Sequence, residues 1–590
     1  MANFYPIIAS KINGFLETGK SLPKFSQNYA MVIFLSLRIS SDLMKSLPKQ
    51  KDFWFLPLGG SGEIGMNLNL YGHNGQWLMV DLGITFHDRL GIEVITPDPS
   101  AILPYQASIK GLVLTHAHED HIGAIPYLWP YLRCPLYATP FTAAVIRQKI
   151  SDKSWSHEVQ IIEVPLENKV QIGHFSVEFI TITHSIAEPN VLAISTPLGT
   201  IVHTGDWKLD PTPLIGKTTN SQRLKQIGDE GALALICDST NVLSKGSSGS
   251  EQNVRNELTE LFSHYPDCRI TVACFASNIA RLETVILAAE KYNRKVLLIG
   301  RSLYRMVEAA QQAGYLKNIP PFINDKEAAM LPHKNILLLT TGSQGEARSA
   351  LARIANLQHP FVKMDKRDVI FFSSRVIPGN EKNIGALHNR LILLGAKVVT
   401  SHEEDIHVSG HPSQDELKQM YRWVRPQIAI PVHGEARHLQ AHGQLAQEEG
   451  VPQVFIPYNG SLIQLSSPSA QIIDQIHAGK WALDGRRLIP LESIIFKDRN
   501  KLSIQGIIFI TLLLNKTTDA IKNLHLSAIG ICQSVEEHHM ITSNLRSLIQ
   551  AVPFDTFFEN SSLISHIKQI VRHQINQEFG KKPIVEIHLI

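Results

Sequence analysis

The run Thr115-His116-Ala117-His118-Glu119-Asp120-His121 places three imidazoles and the Asp120 carboxylate within six residues, directly after an apolar stretch. A packed core element is excluded, because each buried polar group would need its own partner. Spacing of two sets His116 and His118 on the same side of an extended turn. Asp120 and His121 then project from the start of a helix predicted over Ile122–Leu128. Imidazole nitrogen with carboxylate oxygen suits Zn²⁺, with Mn²⁺ or Mg²⁺ as oxygen-tolerant alternatives. Two ions need further donors, which are expected just beyond other apolar strands: His184, Asp206 and His433. With the first cluster they complete two coordination spheres bridged by Asp206. A histidine-rich surface loop is the competing reading.

The elements that must carry these residues are short. Apolar runs predict strands at Phe53–Leu58, Trp77–Val80, Gly111–Thr115, Val177–Ile182, Val191–Ser195, Thr200–His203 and Leu233–Ile236, a β-sandwich pattern. Beyond about Ser221 the pattern changes. Helices predicted over Glu251–Ser263, Ile279–Asn293 and Tyr304–Ala313 alternate with strands at Ile270–Ala273, Val296–Ile299, Ile336–Leu339, Val369–Phe372 and Lys397–Thr400, the signature of βαβ units. Short strands return at Ile428–Pro431 and Val454–Ile456, as if the first domain resumes after an insertion. A terminal module is predicted with strands at Leu502–Leu514, Leu526–Cys532 and Pro583–Leu589 and a helix at Leu563–Glu578. The expected division is an N-terminal extension 1–50, a first domain in two parts (51–222 and 398–480), an inserted domain 223–397, and a C-terminal domain 485–590.

The order HxHxDH, a single histidine, Gly-Asp, then a distant Pro431-Val-His-Gly-Glu435 resembles the metallo-β-lactamase superfamily. The large α/β insertion before His433 resembles its β-CASP branch of nucleases. Gly59-Gly-Ser-Gly-Glu-Ile-Gly-Met-Asn67, Val80-Asp-Leu-Gly83, His407-Val-Ser-Gly-His411 and the Pro431–Glu435 motif are similar to the bacterial ribonuclease J family, from about residue 53 to the C-terminus. The resemblance implies an α/β fold: an αββα metallo-β-lactamase sandwich, an inserted β-CASP α/β domain, and a small α+β C-terminal domain for homodimer or homotetramer formation. It assigns His116, His118 and His184 to one of two Zn²⁺ per subunit, Asp120, His121 and His433 to the other, and Asp206 to both. It adds the catalytic residues Asp238 and His411, with Asp120 serving both metal and reaction. In this branch a histidine at position 433 goes with RNA, whereas DNA-processing relatives commonly carry valine.

The implied activity is 5′→3′ exonuclease and endonuclease action on single-stranded RNA, with preference for a 5′-monophosphate and a cytoplasmic setting. Two cations supply hydroxide near neutral pH for in-line attack on the phosphodiester. His411, oriented by Asp238, supplies a proton to the departing ribose oxygen. The segment His407, Val408, Ser409, Gly410 and His411 resembles the family's grip on the 5′ phosphate. Ala276–Ile279, Thr341–Gly345 and Ser373–Glu381 resemble channel walls. Asp238 as a plain strand-end cap is the alternative reading of that residue.

Other signals are set aside. Gly60-x-Gly62-x-x-Gly65 satisfies the dinucleotide pattern, but Met66–Tyr71 alternates like a strand instead of opening a helix, so a turn between two strands is expected. His538-His539 is expected in a solvated loop. At 590 residues the chain exceeds one core and calls for several domains. Its net charge of +3 does not argue for a polyanionic partner. The five cysteines form no CxxC pair, so neither a disulfide framework nor a thiolate metal site is expected. The apolar run Ala30–Leu37 is far short of the roughly 20 residues that span a bilayer, so no membrane partner is expected. Residues 1–50 read as a weakly ordered extension or as sequence upstream of a later start such as Met31 or Met44. Two other function classes stay open: a hydrolase of DNA or of a small ester or thioester, and a metal-poor RNA-binding subunit. The insertion and the Asp238/His411 residues weigh against the small-substrate reading, and the intact donor set weighs against the metal-poor one.

Overall fold

Side chains alternating along Phe53–Gly59 and Phe175–Thr181 send Phe53, Phe55, Phe175, Val177 and Phe179 to one shared apolar layer. A computed structural model of the chain describes residues 46–87, 89–466, 470–514, 521–552 and 560–590. The predicted extension up to residue 45, with its apolar run, lies outside them. Two compact units are present, one containing Ile95–Gly479 and the residues up to Thr85, the other Phe86–Val94 with Lys480–Ile590.

In the first unit two sheets face each other across that layer. One has eight strands in the order Gln471–Gln475, Ser461–Gln464, Phe53–Gly59, Leu68–His73, Gln76–Val80, Ile109–Val113, Leu136–Ala138 and Ile161–Glu163. The other has seven: Lys169–Ile172, Phe175–Thr181, Asn190–Thr196, Gly199–His203, Ala232–Asp238, Ile428–Val432 and Gln453–Val454. Leu224 and Ile227 of helix Ser221–Glu230, with Leu417 and Met420 of helix Gln414–Val424, cover the outer face of the second sheet at Val191, Val202 and Ala429. The chain leaves this sheet after Ala232–Asp238. It builds a parallel sheet in the order Lys295–Ile299, Ile336–Thr340, Arg269–Ala273, Asp368–Phe372 and Lys397–Thr400, then returns. The returning strand Ile428–Val432 lies parallel beside Ala232–Asp238, with Asp238 opposite Val432. That pairing delivers His433 next to Asp238.

The second unit has a three-stranded sheet, Ile521–Ile529, Ile507–Leu514 and Ile584–Leu589, whose Ile508, Ile510 and Leu512 pack on helices Val535–Gln550 and Asn560–Phe579. Two expectations are corrected here. The strand predicted over Leu502–Leu514 starts only at Ile507, because helix Ile494–Gln505 ends at Gly506, whose φ of 74° turns the chain. His538 and His539 lie on helix Val535–Gln550, not in a loop. Ser534 caps that helix, and Ile541, Leu545 and Ile549 at spacing four bury its apolar face. Among the described residues no helix is long and apolar enough to cross a membrane.

Candidate metal centre

Strands of both sheets end at one edge of the sandwich, and the predicted donors emerge there. Val113 precedes Thr115 and His116, Thr181 precedes His184, His203 precedes Asp206, and Val432 precedes His433. The helix predicted over Ile122–Leu128 divides into a single turn, Glu119–Ile122, and Ile125–Leu132. Gly123 lies between them with no room for a side chain: a Cβ there would stand 2.3 Å from the Glu119 carbonyl oxygen. Asp120 and His121 therefore leave from the short turn, with His118 at its N-cap.

All seven predicted donors meet. His116, His118, His184 and Asp206 form one group, and Asp120, His121, Asp206 and His433 another, each with donor atoms within 4.8 Å of one another. His118 Nδ1 lies 3.1 Å from His116 Nε2 and 3.0 Å from His184 Nε2. Asp206 Oδ2 lies 3.1 Å from His121 Nε2 and 3.5 Å from His433 Nε2. Burial holds His116 and His184 well below the ordinary imidazole value and takes His118 down to about 4. Three neutral rings thus aim lone pairs at a common point. His121 is opposed by burial too, but the carboxylates of Asp206 and Asp81 outweigh that and raise it.

The far nitrogens are also engaged. Thr115 Oγ1 donates to Asp81 and so is left to accept from His116 Nδ1 at 3.0 Å. His121 Nδ1 meets Asp81 Oδ2 at 2.7 Å, His433 Nδ1 donates to Asn67 Oδ1 at 3.0 Å, and His184 Nδ1 donates to the Gly410 carbonyl. Outer partners of this kind fix ring orientation and tautomer in metal sites. Asp206 Oδ1 is buried with no hydrogen-bond partner, an unsatisfied oxygen that a cation would satisfy. The residues therefore fit metal binding. Asp81 and Asn67, which engage the rings of His121 and His433, are positions that residue spacing alone missed. Their signal was present in Val80–Gly83 and Gly59–Asn67, but only as motif text.

At the edge of the array His411 Nδ1 meets Asp238 Oδ2 at 2.8 Å. Burial works against the imidazolium, yet the carboxylates of Asp238 and Asp206 raise His411 to about 9. The segment His407–Gly410 runs beside it. A Cβ on Gly410 would meet Ser185 Oγ at 2.7 Å and His184 Cε1 at 2.9 Å, so only glycine lets the backbone come this close. Val408 packs on Gly249, and the Ser409 hydroxyl accepts from the His411 amide at 3.1 Å. His407 Nδ1 is buried without a partner, and burial together with Arg281, Arg375 and Lys208 keeps the ring neutral. Two of the predicted channel segments join each other: Gln344 Nε2 donates to the Arg375 carbonyl at 2.8 Å, and the Ile377 amide donates to Gln344 Oε1. The Gly60–Gly65 run is a turn between strands, and Ser61–Gly62 pairs with Gly434–Glu435. Strand Leu68–His73, not a helix, follows it.

Four family models match the chain in succession. They are described as the metallo-beta-lactamase superfamily (residues 66–227), the ribonuclease J beta-CASP domain (267–391), a Zn-dependent metallo-hydrolase RNA specificity domain (397–457) and the ribonuclease J C-terminal domain (494–590). Ribonuclease J of Sinorhizobium meliloti is 39% identical over 553 residues, covering 92% of this chain and 98% of that one. Ribonuclease J of Helicobacter pylori B128 is 34% identical over 90% of this chain and 78% of its own. The Corynebacterium glutamicum protein of the same name is 35% identical over 90% and 74%. The fold is therefore a metallo-β-lactamase domain with a β-CASP insertion and a C-terminal domain. Relatives at this identity run the length of the described sandwich, insertion and terminal unit, and on that basis the chain belongs to the ribonuclease J family.

Proposed function

We propose that the chain is a metal-dependent ribonuclease that hydrolyses single-stranded RNA, 5′→3′ from a monophosphorylated end and also internally. The observation that carries this reading is the pair of four-donor groups sharing Asp206, with His411 and Asp238 at their edge. His116, His118 and His184 would hold one Zn²⁺, Asp120, His121 and His433 the other, and Asp206 both, with Mn²⁺ or Mg²⁺ as alternative occupants. Bound there, such cations lower the pKa of water towards ~7 and offset charge on phosphoryl oxygens.

The chain's own residues do the rest. Asp238 engages Nδ1 of His411 and so leaves Nε2 to carry the proton that is given up. That proton goes to the departing ribose oxygen. Gly410 brings backbone close to the centre, and Ser409 and His407 stand beside it to take the phosphate of the 5′ nucleotide. The C-terminal unit would join copies into a homodimer or homotetramer in the cytoplasm.

The test compares decay of RNA with 5′-monophosphate and 5′-triphosphate ends, with and without a chelator, beside a DNA strand of the same sequence. Chelator-sensitive decay fastest for the monophosphate is expected. RNA cleavage that survives full metal removal would sink the proposal, as would equal action on DNA.

A further inference from the structure

Arg281 is 1% exposed and its partner Glu251 4% exposed, which makes them a fully desolvated ion pair inside the inserted domain. The guanidinium spends its donors on three separate segments. Nε and Nη2 reach the Glu251 carboxylate at 3.1, 2.9 and 3.0 Å, at the first turn of helix Glu251–Ser263. Nη1 donates to the Ser373 carbonyl at 2.9 Å and to the Ser373 hydroxyl, just past strand Asp368–Phe372. It also donates to the Ile406 carbonyl at 2.9 Å, immediately before His407. The Ser373 hydroxyl donates to the same Ile406 carbonyl at 2.7 Å.

The segment Ile406–His411 is thus pinned at three points. Gly410 is held by His184 and His411 by Asp238, both from the sandwich. Ile406 is held by Arg281 and Ser373, both from the insertion. A buried ion pair contributes little net stability, because desolvation offsets the attraction, and apolar replacement is often neutral. Its planar fork does fix geometry, in a way no single-point ammonium can reproduce. The pair stands where geometry matters most, at the root of the segment read above as the 5′-phosphate grip.

We infer that Arg281, braced by Glu251, is a positioning residue that sets the placement of His407–Gly410 and so confers the 5′-end dependence of RNA decay. This rests on the reading of that segment given under Proposed function. Two consequences separate it from a role in folding alone. Decay from a 5′-monophosphate should depend on the fork, whereas cleavage within a circular RNA, which has no end to grip, should not.

The experiment uses the full chain with bound zinc, as wild type, Arg281→Lys, and a double variant Arg281→Met with Glu251→Leu that removes the pair without stranding a charge. Rates are measured on 5′-monophosphorylated linear RNA and on circular RNA, together with zinc content. Both variants should lose about tenfold or more on the linear substrate, mainly as a raised KM, in line with the ~10²-fold that a ~1 Å misplacement can cost. Their circular-RNA cleavage and zinc content should match wild type. Equal losses on both substrates would assign the pair to folding and overturn the inference, and so would no loss on either. Should Arg281→Lys not fold, the double variant decides the matter by the same comparison. Wild-type indifference to the 5′ end overturns the underlying reading instead, and the positioning role with it.

Discussion

At the scale of single residues, the centre depends as much on what stands behind the donors as on the donors. Asp81 occupies the left-handed region at φ 64° and meets both His121 and Thr115, so one carboxylate orients rings on either side of Asp206. Asp81→Asn should weaken zinc binding by about 10–100-fold, the usual effect of losing such a partner. Competition against a chromophoric chelator measures this, and unchanged affinity would discount the role. A second buried histidine carries a pH signature. His442 is fully buried between Ser239 Oγ at 2.8 Å and Tyr421 Oη at 2.9 Å, and burial lowers it from 6.5 to about 4. Between those values the unfolded chain binds a proton that the folded chain refuses. Its contribution is therefore intact above pH ~6.5 and fades as the pH falls towards ~4, by at most about 3 kcal/mol. Thermal melts over that range should show a shallower pH slope for His442→Gln than for wild type, and identical slopes would refute the assignment. Among the sequence-read donors, each was legible because it followed an apolar strand within a few residues. Asn67 was not, because its partner His433 lies 366 residues away.

At the scale of elements, periodic segments with caps were read closely and the others were not. Helix Glu251–Ser263 and strand Lys397–Thr400 occur where spacing placed them, the helix opened by the Ser250 side chain. Helix Gln414–Val424 went unread although Ser413 and Glu416 form its capping box. The one-turn helix Glu119–Ile122 defeats periodicity altogether, being too short to have any. What fixes it is steric. A Cβ on Gly83 would lie 1.6 Å from the Asp120 carbonyl oxygen, so the turn and the loop at Gly83 are locked backbone to backbone. Gly83→Ala should cost about 1–3 kcal/mol by overpacking and lower zinc content, because it pushes Asp120 and His121 off position. Gly385→Ala is the control, inside helix Glu381–Leu393 with open space at its Cβ position, and should gain up to ~1 kcal/mol. Urea midpoints and metal analysis give both signs, and a tolerant Gly83 would contradict the locking.

At the scale of the whole molecule, every donor of the centre belongs to the first compact unit, while the second has its own core of Ile508, Ile541, Leu545 and Ile567. A chain ending at Gly479 should therefore keep its bound metal, as read by metal analysis, and on the proposed role of the terminal unit lose self-association, as read by light scattering. Loss of the metal would show that the units are not separable in this sense. The two-layer plan and the insertion were legible because strand length and helix alternation are local signals. Which strands become neighbours was not, since Asp238 pairs with Val432 in the returning strand and meets His411 across 173 residues of sequence. That return has a consequence in time. During synthesis the sandwich can assemble its early strands, but Asp120 and His121 wait for His433 and Asp238 waits for His411. Roughly 300 residues separate His121 from His433, which at ~5–20 residues per second amounts to roughly 15–60 seconds of translation. Through that interval the nascent chain, tethered to its own message, holds an incomplete cutting centre. The long excursion between two adjacent strands thus acts as a delay, arming a nuclease of RNA only when most of it has already been read from RNA.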